Sequence, residues 1–386
     1  MLRAYISPLG IGYGHASRCA NLADRLIEEG FSVYFSARGD AYSYLKASKF
    51  EVLGGGDEIL WKSKEDGSPD FWGTLKDPNI LREFISQILE EKKNLEAISP
   101  DVVISDSRLQ TLIASEYLGL PTVSVLNQPK LLLHPLIIGW RREILGRSLA
   151  KKVEFIVNSM ITRFWAVSQA TIVADFPPPF NISKYHTSDL PKALMDRLVF
   201  SGPLLEPKCS EGEGNVVLIM ISGPEAERKP LISELLDFMR EVPEDLRGLE
   251  FVISLGDPGD LRIEKLSDRV TAYSWLPNKW DFLSRAKVVV SRAGHTIISE
   301  ALLCGKPLLL IPVPGQTEKI ENAKSVQELG LGINLEQEKI KKEFFNHLRI
   351  LLEDDGFSKR AMEFRKRFSN WDFLGRAVSV IESVIY

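Results

Sequence analysis

A histidine preceded by three closely spaced glycines is the first group in this chain equipped for chemistry. Gly10, Gly12 and Gly14 lead to His15 in the run GIGYGH, directly after the apolar run Leu2–Ile6. If a strand ends there and a helix begins, the glycines permit a tight bend and close approach of a ligand to the backbone. His15 then stands at the positive end of the helix dipole, where a cation is disfavoured. A neutral imidazole able to take a proton from a hydroxyl nucleophile is expected. The other role open to His15 is to cap the helix. Asp106 lies just past the run 101–105, at the carboxyl edge where open α/β sheets place their ligands. It could hold the His15 ring in one tautomer, or cap the helix expected over 108–118.

A second glycine turn has different chemistry. Ser291, Arg292, Ala293 and Gly294 follow the run 286–290 and lead into HTIISEALL. Free amides near Gly294, His295 and Thr296 would suit a diphosphate. Glu300 lies roughly 9 Å further along a helix axis, a distance suited to the ribose of that diphosphate. A solvated mid-helix glutamate is the plain alternative. ISGPEAER at 221–228 is a third strand-to-glycine turn, where Ser222 and Gly223 offer amides and Arg228 a charge. GQTEKIENA at 315–323 adds Gln316, Glu318 and Lys319, side chains able to bind sugar hydroxyls. The five histidines are scattered, with no HxxxH or CxxC spacing, so no metal site is expected. A P-loop and a GxSxG elbow are both missing. The run GIGYG matches a dinucleotide fingerprint weakly, and Asp40 comes too late to be its ribose partner, so no NAD cofactor is expected.

These residues need strands and helices to position them, and the pattern supplies both. Cys19, Leu22, Ala23, Leu26 and Ile27 keep helical spacing, and Gly30 stops the helix. Strands are expected at 31–35, 50–53, 101–105 and 122–126, with helices at 41–48, 78–97 and 108–118. Residues 54–77 read as a long loop. DFPPPF at 175–180 cannot continue a helix. Alternation resumes with strands at 215–221, 250–255, 269–273, 286–290, 307–311 and 331–335, and amphipathic helix follows from about 357. This order predicts an α/β fold with two Rossmann-like domains, parallel sheets and helices on both faces. Expected boundaries are 1–185 for the first domain, 186–213 for a linker and 214–369 for the second. The helix at about 370–386 is expected to return to the first domain.

Composition agrees with a globular protein: 44% apolar, 26% charged, net charge −4. That balance gives no reason to expect nucleic acid. The first expected strand leaves no room for a signal peptide, and no apolar run reaches the roughly 18 residues of a membrane span. Cys19, Cys209 and Cys304 are few, odd in number and far apart, and are expected to form neither a disulfide framework nor a metal cluster. A cytoplasmic protein is expected. In LLLHPLIIGWRREILGR at 131–147, apolar residues meet Arg141, Arg142 and Arg147. This stretch is either a core helix with a basic end or a peripheral contact with the inner membrane face.

The segment SRAGHTIISEALLCGKPLLLIPVPGQTEKIENA resembles the nucleotide-sugar motif of the two-domain GT-B glycosyltransferases. The resemblance is greatest to family 28, the branch of the UDP-GlcNAc-using enzyme of peptidoglycan lipid II synthesis. GIGYGHASR, ISDSR and DFPPP resemble a group of archaeal predicted glycosyltransferases. The resemblance implies two sheets facing across a cleft, with the donor in the second domain and the acceptor in the first. It implies a UDP-sugar donor, no cofactor and no metal, a hydroxyl acceptor that is unidentified or lipid-linked, and transfer with inversion. Backbone at Tyr273–Leu276, including Trp275 and Leu276, would read the base. Ser291, Arg292 and Gly294–Thr296 would take the diphosphate and Glu300 the ribose. Gln316, Glu318 and Lys319 would face the sugar, although the family often has Asp-Gln or Gln-Gln at 318–319. Gly12 and Gly14 would approach the donor, and His15 with Asp106 would activate the acceptor. Gly12-x-Gly14-His15-x-x-Arg18-Cys19 is also similar to the activated-sugar hydrolases of nonulosonate biosynthesis. Hydrolase, epimerase and non-catalytic readings therefore stay open.

Overall fold

The computed structural model describes residues 1–59, 62–63, 69–70, 73, 76–132, 147–210, 214–257 and 259–386. They form two compact units. One comprises Met1–Lys62, Asp70–Glu206 and Asp372–Tyr386, and the other comprises Ser63–Pro69 and Pro207–Trp371.

The first unit starts β1 (Arg3–Pro8), α1 (Gly14–Glu28), β2 (Ser32–Ala37), α2 (Gly39–Ala47) and β3 (Val52–Gly54). A two-stranded ribbon pairs β4 (Lys62–Ser63) with β5 (Pro69–Asp70). The unit continues with α3 (Asn79–Ile98), β6 (Val102–Asp106), α4 (Leu109–Tyr117), β7 (Thr122–Leu126), α5 (Arg147–Trp165), β8 (Ala170–Val173) and β9 (Leu198–Phe200). The main sheet runs β3-β2-β1-β6-β7-β8-β9, and every neighbouring pair is parallel. Its central strands are covered on both faces. Every residue of β6 and β7 is therefore buried, including the polar Ser105 and Asp106 of β6 and Thr122 and Ser124 of β7.

The second unit has seven strands: β10 (Val216–Met220), β11 (Glu250–Ser254), β12 (Ile263–Lys265), β13 (Val270–Tyr273), β14 (Ala286–Ser291), β15 (Leu308–Leu310) and β16 (Gly332–Asn334). Its helices are α6 (Glu225–Phe238), α7 (Lys279–Arg285), α8 (His295–Leu303), α9 (Thr317–Glu328), α10 (Ile340–Glu353) and α11 (Asp355–Phe368). The order is β12-β13-β11-β10-β14-β15-β16, parallel except for the antiparallel edge strand β12. The chain then ends in α12 (Phe373–Ile385), which packs on the first unit. Leu374, Ala377, Val378 and Ile381 of α12 join the core beneath α1 and β1. Asp372 starts this helix by accepting from the Gly375 amide at 2.8 Å.

Three expectations need correction. Residues 186–213 are not merely a linker, because a helical turn at Lys192–Met195 and the edge strand β9 lie within them. β8 also went unforeseen. Both strands are short and flank a proline-rich stretch, and that stretch is held by Asp175. Its buried carboxylate accepts from the amides of Phe176 at 2.7 Å, Ile182 at 3.2 Å and Ser183 at 2.7 Å. Cys209 and Cys304 form a disulfide, with Cα atoms 5.6 Å apart. The fold carries the segment entering β10 past the C-terminal end of α8, a proximity that a separation of 95 residues does not reveal. Among the described residues, no helix is long and apolar enough to cross a membrane. Residues 133–146, most of the candidate peripheral segment, lie outside the described residues.

Each sheet reverses its winding once. In the first, the chain steps outward from β1 through β2 to β3, then returns to lay β6 against β1 with Pro8 beside Asp106. In the second, β10 and β14 are neighbours in the same way, with Met220 beside Ser291. Such reversal points leave a crevice outside the carboxyl ends of the strands. The candidate residues of both turns fall there.

Candidate functional site

At the first reversal point, His15 Nδ1 lies 2.8 Å from Asp106 Oδ1. The N-cap of α1 is Tyr13, not His15, and that of α4 is Arg108, not Asp106. Neither residue therefore serves as the helix cap that was its alternative role. Asp106 is fully buried, whereas the His15 side chain keeps about a quarter of its surface exposed. Arg18, one turn along α1 from His15, donates from Nε to Asp106 Oδ2 at 2.6 Å, and its terminal nitrogen contacts Oδ1. The Cys19 thiol donates to Oδ2 at 3.3 Å. Burial opposes ionisation of Asp106, but the charges and hydrogen bonds of Arg18 and His15 outweigh it and hold the carboxyl well below its usual range. Burial, with the Asp106 charge beside it, pushes the Cys19 thiol well up.

Carboxylates also fasten the glycine turn itself. The Gly10 amide donates to Glu58 Oε2 at 3.0 Å, and the Gly12 amide donates to Asp40 Oδ2 at 2.8 Å. Gly12 has φ of +66°, which a side chain would strain. At Gly10 an added Cβ would fall 2.5 Å from the Arg38 carbonyl oxygen, so only glycine fits. Beneath the turn, the fully buried Arg108 donates to Ser7 Oγ and Glu91 Oε1, each at 3.1 Å, and lies 3.8 Å from Glu58. Tyr5 and Ser36 donate to the same Glu91 at 2.9 and 2.6 Å. Buried charges persist only when paired and hydrogen-bonded in this manner.

The second reversal point carries cations. Gly294 is the N-cap of α8 and provides no side-chain cap to its first-turn amides. Ser222 Oγ lies 3.7 Å from where a Gly294 Cβ would stand, so the turn after β10 meets the start of α8. Ala293 has φ of +57°, and its carbonyl accepts from Asn322 at 3.2 Å. The Arg292 guanidinium is buried and donates to Gln337 Oε1 at 2.6 Å. Burial pulls its pKa down to about 10 against the upward pull of Glu227. Lys319 Nζ pairs with Glu227 Oε2 at 2.7 Å, and Gln316 Nε2 is 3.5 Å from Glu227 Oε1. Gly223 lies over this pair with φ of +111°, its would-be Cβ 2.9 Å from Glu227 and 3.3 Å from Lys319. Glu300 is buried along α8, and its Oε1 accepts from Lys279 Nζ at 2.6 Å. It is not a solvated glutamate.

The structure thus brings together His15 and Asp106 in one unit. In the other it gathers Ser222, Gly223, Ser291, Arg292, Gly294, Gln316 and Lys319 on one sheet edge. His295 is buried, Thr296 is half-buried, and Glu318 lies in the first turn of α9. Trp275 and Leu276 follow β13 on the same edge, with Leu276 buried. Gly14 is the first residue of α1. Arg228 instead turns to the Leu255 carbonyl at 2.6 Å. Sequence reasoning missed Arg18 as a partner of Asp106, along with Glu58, Glu227 and Lys279. The i, i+3 spacing from His15 was the available signal for Arg18; the others have no local signal.

Residues 225–370 match the model of the glycosyltransferase family 28 C-terminal domain. The chain is 25% identical over 369 residues to an uncharacterized glycosyltransferase of Methanosarcina acetivorans, covering 92% of each chain. Over 165 residues it is 29% identical to the UDP-N-acetylglucosamine–N-acetylmuramyl-(pentapeptide) pyrophosphoryl-undecaprenol N-acetylglucosamine transferase of Thermotoga neapolitana, covering 42% of this chain and 47% of that one. Among solved structures, the kitacinnamycin glycotransferase superposes with a TM-score of 0.66 at 16% identity, covering 99% of this chain and 98% of that one. A spinosyn rhamnosyltransferase complexed with thymidine diphosphate gives 0.62 at 15% identity, covering 99% and 100%. These neighbours have the GT-B fold, and so does this chain.

Proposed function

Starting from a glycosyltransferase of GT-B fold with a family 28 C-terminal domain, we propose that the chain moves a sugar from a UDP-linked donor to a hydroxyl acceptor with inversion. The His15–Asp106 pair at the carboxyl edge of the first sheet carries this reading. Asp106 accepts from Nδ1–H, leaving Nε2 with the lone pair that removes the acceptor proton. As the acceptor oxygen attacks the anomeric carbon, the diphosphate departs from the opposite face. Its growing charge is met by the uncapped amides at the start of α8 and by the Lys319 and Arg292 cations, so no metal ion enters the scheme. Glu300, held by Lys279, takes the ribose hydroxyls, and the turn after β13 takes the base. Gln316 and Glu318 face the sugar.

The acceptor is a hydroxyl compound that is lipid-linked or presented near a membrane surface. Support comes from the undecaprenol-linked substrate in the name of the Thermotoga relative and from Phe155, Ile156, Met160 and Phe164, which are exposed on α5. A cytoplasmic enzyme meeting the inner membrane face suits such an acceptor.

The test is a panel of UDP, dTDP, GDP and CDP sugars read by thermal shift and nucleotide release. A UDP sugar should raise the melting temperature most, and His15→Ala should keep that shift while losing turnover. Rapid UDP release that ends in free sugar without any acceptor would replace transfer by hydrolysis. Preference for another base would overturn the UDP assignment.

A further inference from the structure

Arg18 has a place in the site that the proposed scheme leaves unused. His15 Nδ1 faces two groups at once: Asp106 Oδ1 at 2.8 Å and the Arg18 terminal nitrogen at 3.1 Å. A guanidinium only donates, and an ionised carboxylate only accepts. Nδ1 therefore donates to Asp106 when protonated and accepts from Arg18 when not. Arg18 also engages both oxygens of Asp106, each through a different nitrogen. A buried carboxylate requires a positive partner. Among the described residues, the other cation in contact with Asp106 is His15 in its protonated form, which cannot act as a base.

We infer that Arg18 is the positioning residue of the base. It supplies the countercharge for Asp106, so the imidazole can stay unprotonated while still being oriented by the carboxylate. This rests on the reading of His15 as the base. The groups facing the ring and its partner are Asp106 and Ser107 after β6, Arg18 and the Cys19 thiol from α1, and Asp40 from α2 at the nearby Gly12 amide. Among them Arg18 is the fixed cation. Its loss should let the His15–Asp106 pair take up a proton at higher pH. Loss of Asp106 with Arg18 retained should do the reverse.

Histidine-selective 15N labelling of the full chain tests this without any substrate. Long-range proton–nitrogen spectra report the tautomer and titration midpoint of each ring, with His15→Gln assigning the signal. In the wild type, the proton of the neutral ring should reside on Nδ1. Arg18→Gln keeps a donor toward Asp106 but removes the charge, and should raise the midpoint by about one pH unit or more, the usual effect of a charge at this range. Arg18→Lys should restore it to near the wild-type value, and Asp106→Asn should lower it. A folded Arg18→Gln protein with an unmoved midpoint overturns the inference, as does an Arg18→Lys shift as large as that of Arg18→Gln. If Arg18→Gln does not fold, a midpoint that fails to fall in Asp106→Asn overturns it equally. UDP release from UDP-GlcNAc by His15→Ala, compared with wild type in the presence of the same candidate hydroxyl acceptor, tests the base itself. Full activity there defeats the reading of His15 and leaves the titration result to judge Arg18 separately.

Discussion

The two glycine turns share a local grammar, strand to glycine to helix at a reversal point, yet the groups that meet their amides differ. The first turn is fastened by carboxylates. Glu58 takes the Gly10 amide, Asp40 takes the Gly12 amide, and Asp106 holds His15. The second turn is flanked by Arg292, Lys319 and Lys279, and the start of α8 has no side-chain cap. A phosphate arriving at the first turn would meet negative groups already occupying the amides it needs. At the second it would meet amides that no side chain caps, with Lys319 and Lys279 nearby, each paired to a glutamate. A strand–glycine–helix turn is therefore not by itself an anion site, and the groups that fill its amides decide what it accepts. The contrast suits a neutral hydroxyl in the first unit and a diphosphate in the second.

The severest test removes the proposed base. His15→Ala should lower kcat by about 10²–10⁴-fold, the usual range for general base catalysis. Donor affinity, measured by calorimetry, should be unchanged if the diphosphate, ribose and base are bound by the second unit, as proposed. A variant that loses donor affinity and keeps kcat would invert the assignment of the two turns.

Next is the buried ion pair of the second turn. Lys319→Met would leave Glu227 buried without its partner, and the two side chains are only about 9% and 11% exposed. Breaking a buried pair from one side costs about 3–5 kcal/mol. Equilibrium denaturation should show that loss, and the double variant with Glu227→Gln should recover part of it. If the single variant is as stable as the wild type, the pair is solvated and the contrast between the turns is weaker than drawn.

Sequence showed the frame of this contrast better than its dressing. β1, β6, β7, β10, β11 and β14 were legible because each is rich in aliphatic or aromatic residues and is bounded by turn or helix signals. β8, β9 and β12 were not, since strands of three or four residues beside prolines, or on an edge, carry little pattern. His15 and Asp106 could be paired in advance because β1 and β6, each with a ligand-edge turn, adjoin in a doubly wound sheet. Glu58, Glu227 and Lys279 could not. Their partners are 48, 92 and 21 residues away, and a lone glutamate or lysine in sequence is most simply a solvated one. The Cys209–Cys304 disulfide was hidden for the same reason.

The third test uses pH. Asp106 is held below its unfolded value by Arg18 and His15, against the opposing effect of burial. For a carboxylate depressed in the folded state, the stabilisation is fully present above the unfolded pKa of about 3.9 and is lost as pH falls below it. The stability difference between wild type and Asp106→Asn, measured by denaturant titration from pH 7 downward, should therefore hold steady to about pH 5 and shrink below pH 4. A constant gap across that window would mean that Asp106 is not the acid-sensitive anchor of the first turn.

The mildest change asks whether the carboxylates really make the first turn what it is. Asp40→Asn keeps an acceptor for the Gly12 amide but removes one negative charge. The exchange of a charged for a neutral acceptor should cost about 0.5–1.5 kcal/mol, visible as a small drop in melting temperature. If the turn excludes anions because Asp40 is charged, the variant should gain weak inorganic phosphate binding in the first unit, seen as phosphate-dependent shifts of the Gly10–Gly14 amide resonances. If it excludes them because the amides are occupied, those resonances should stay put. The retained acceptor, at 2.8 Å in the wild type, favours the second outcome. Only removal of the acceptor altogether, as in Asp40→Ala, should then open the Gly12 amide to phosphate, and the two variants together separate charge from occupancy.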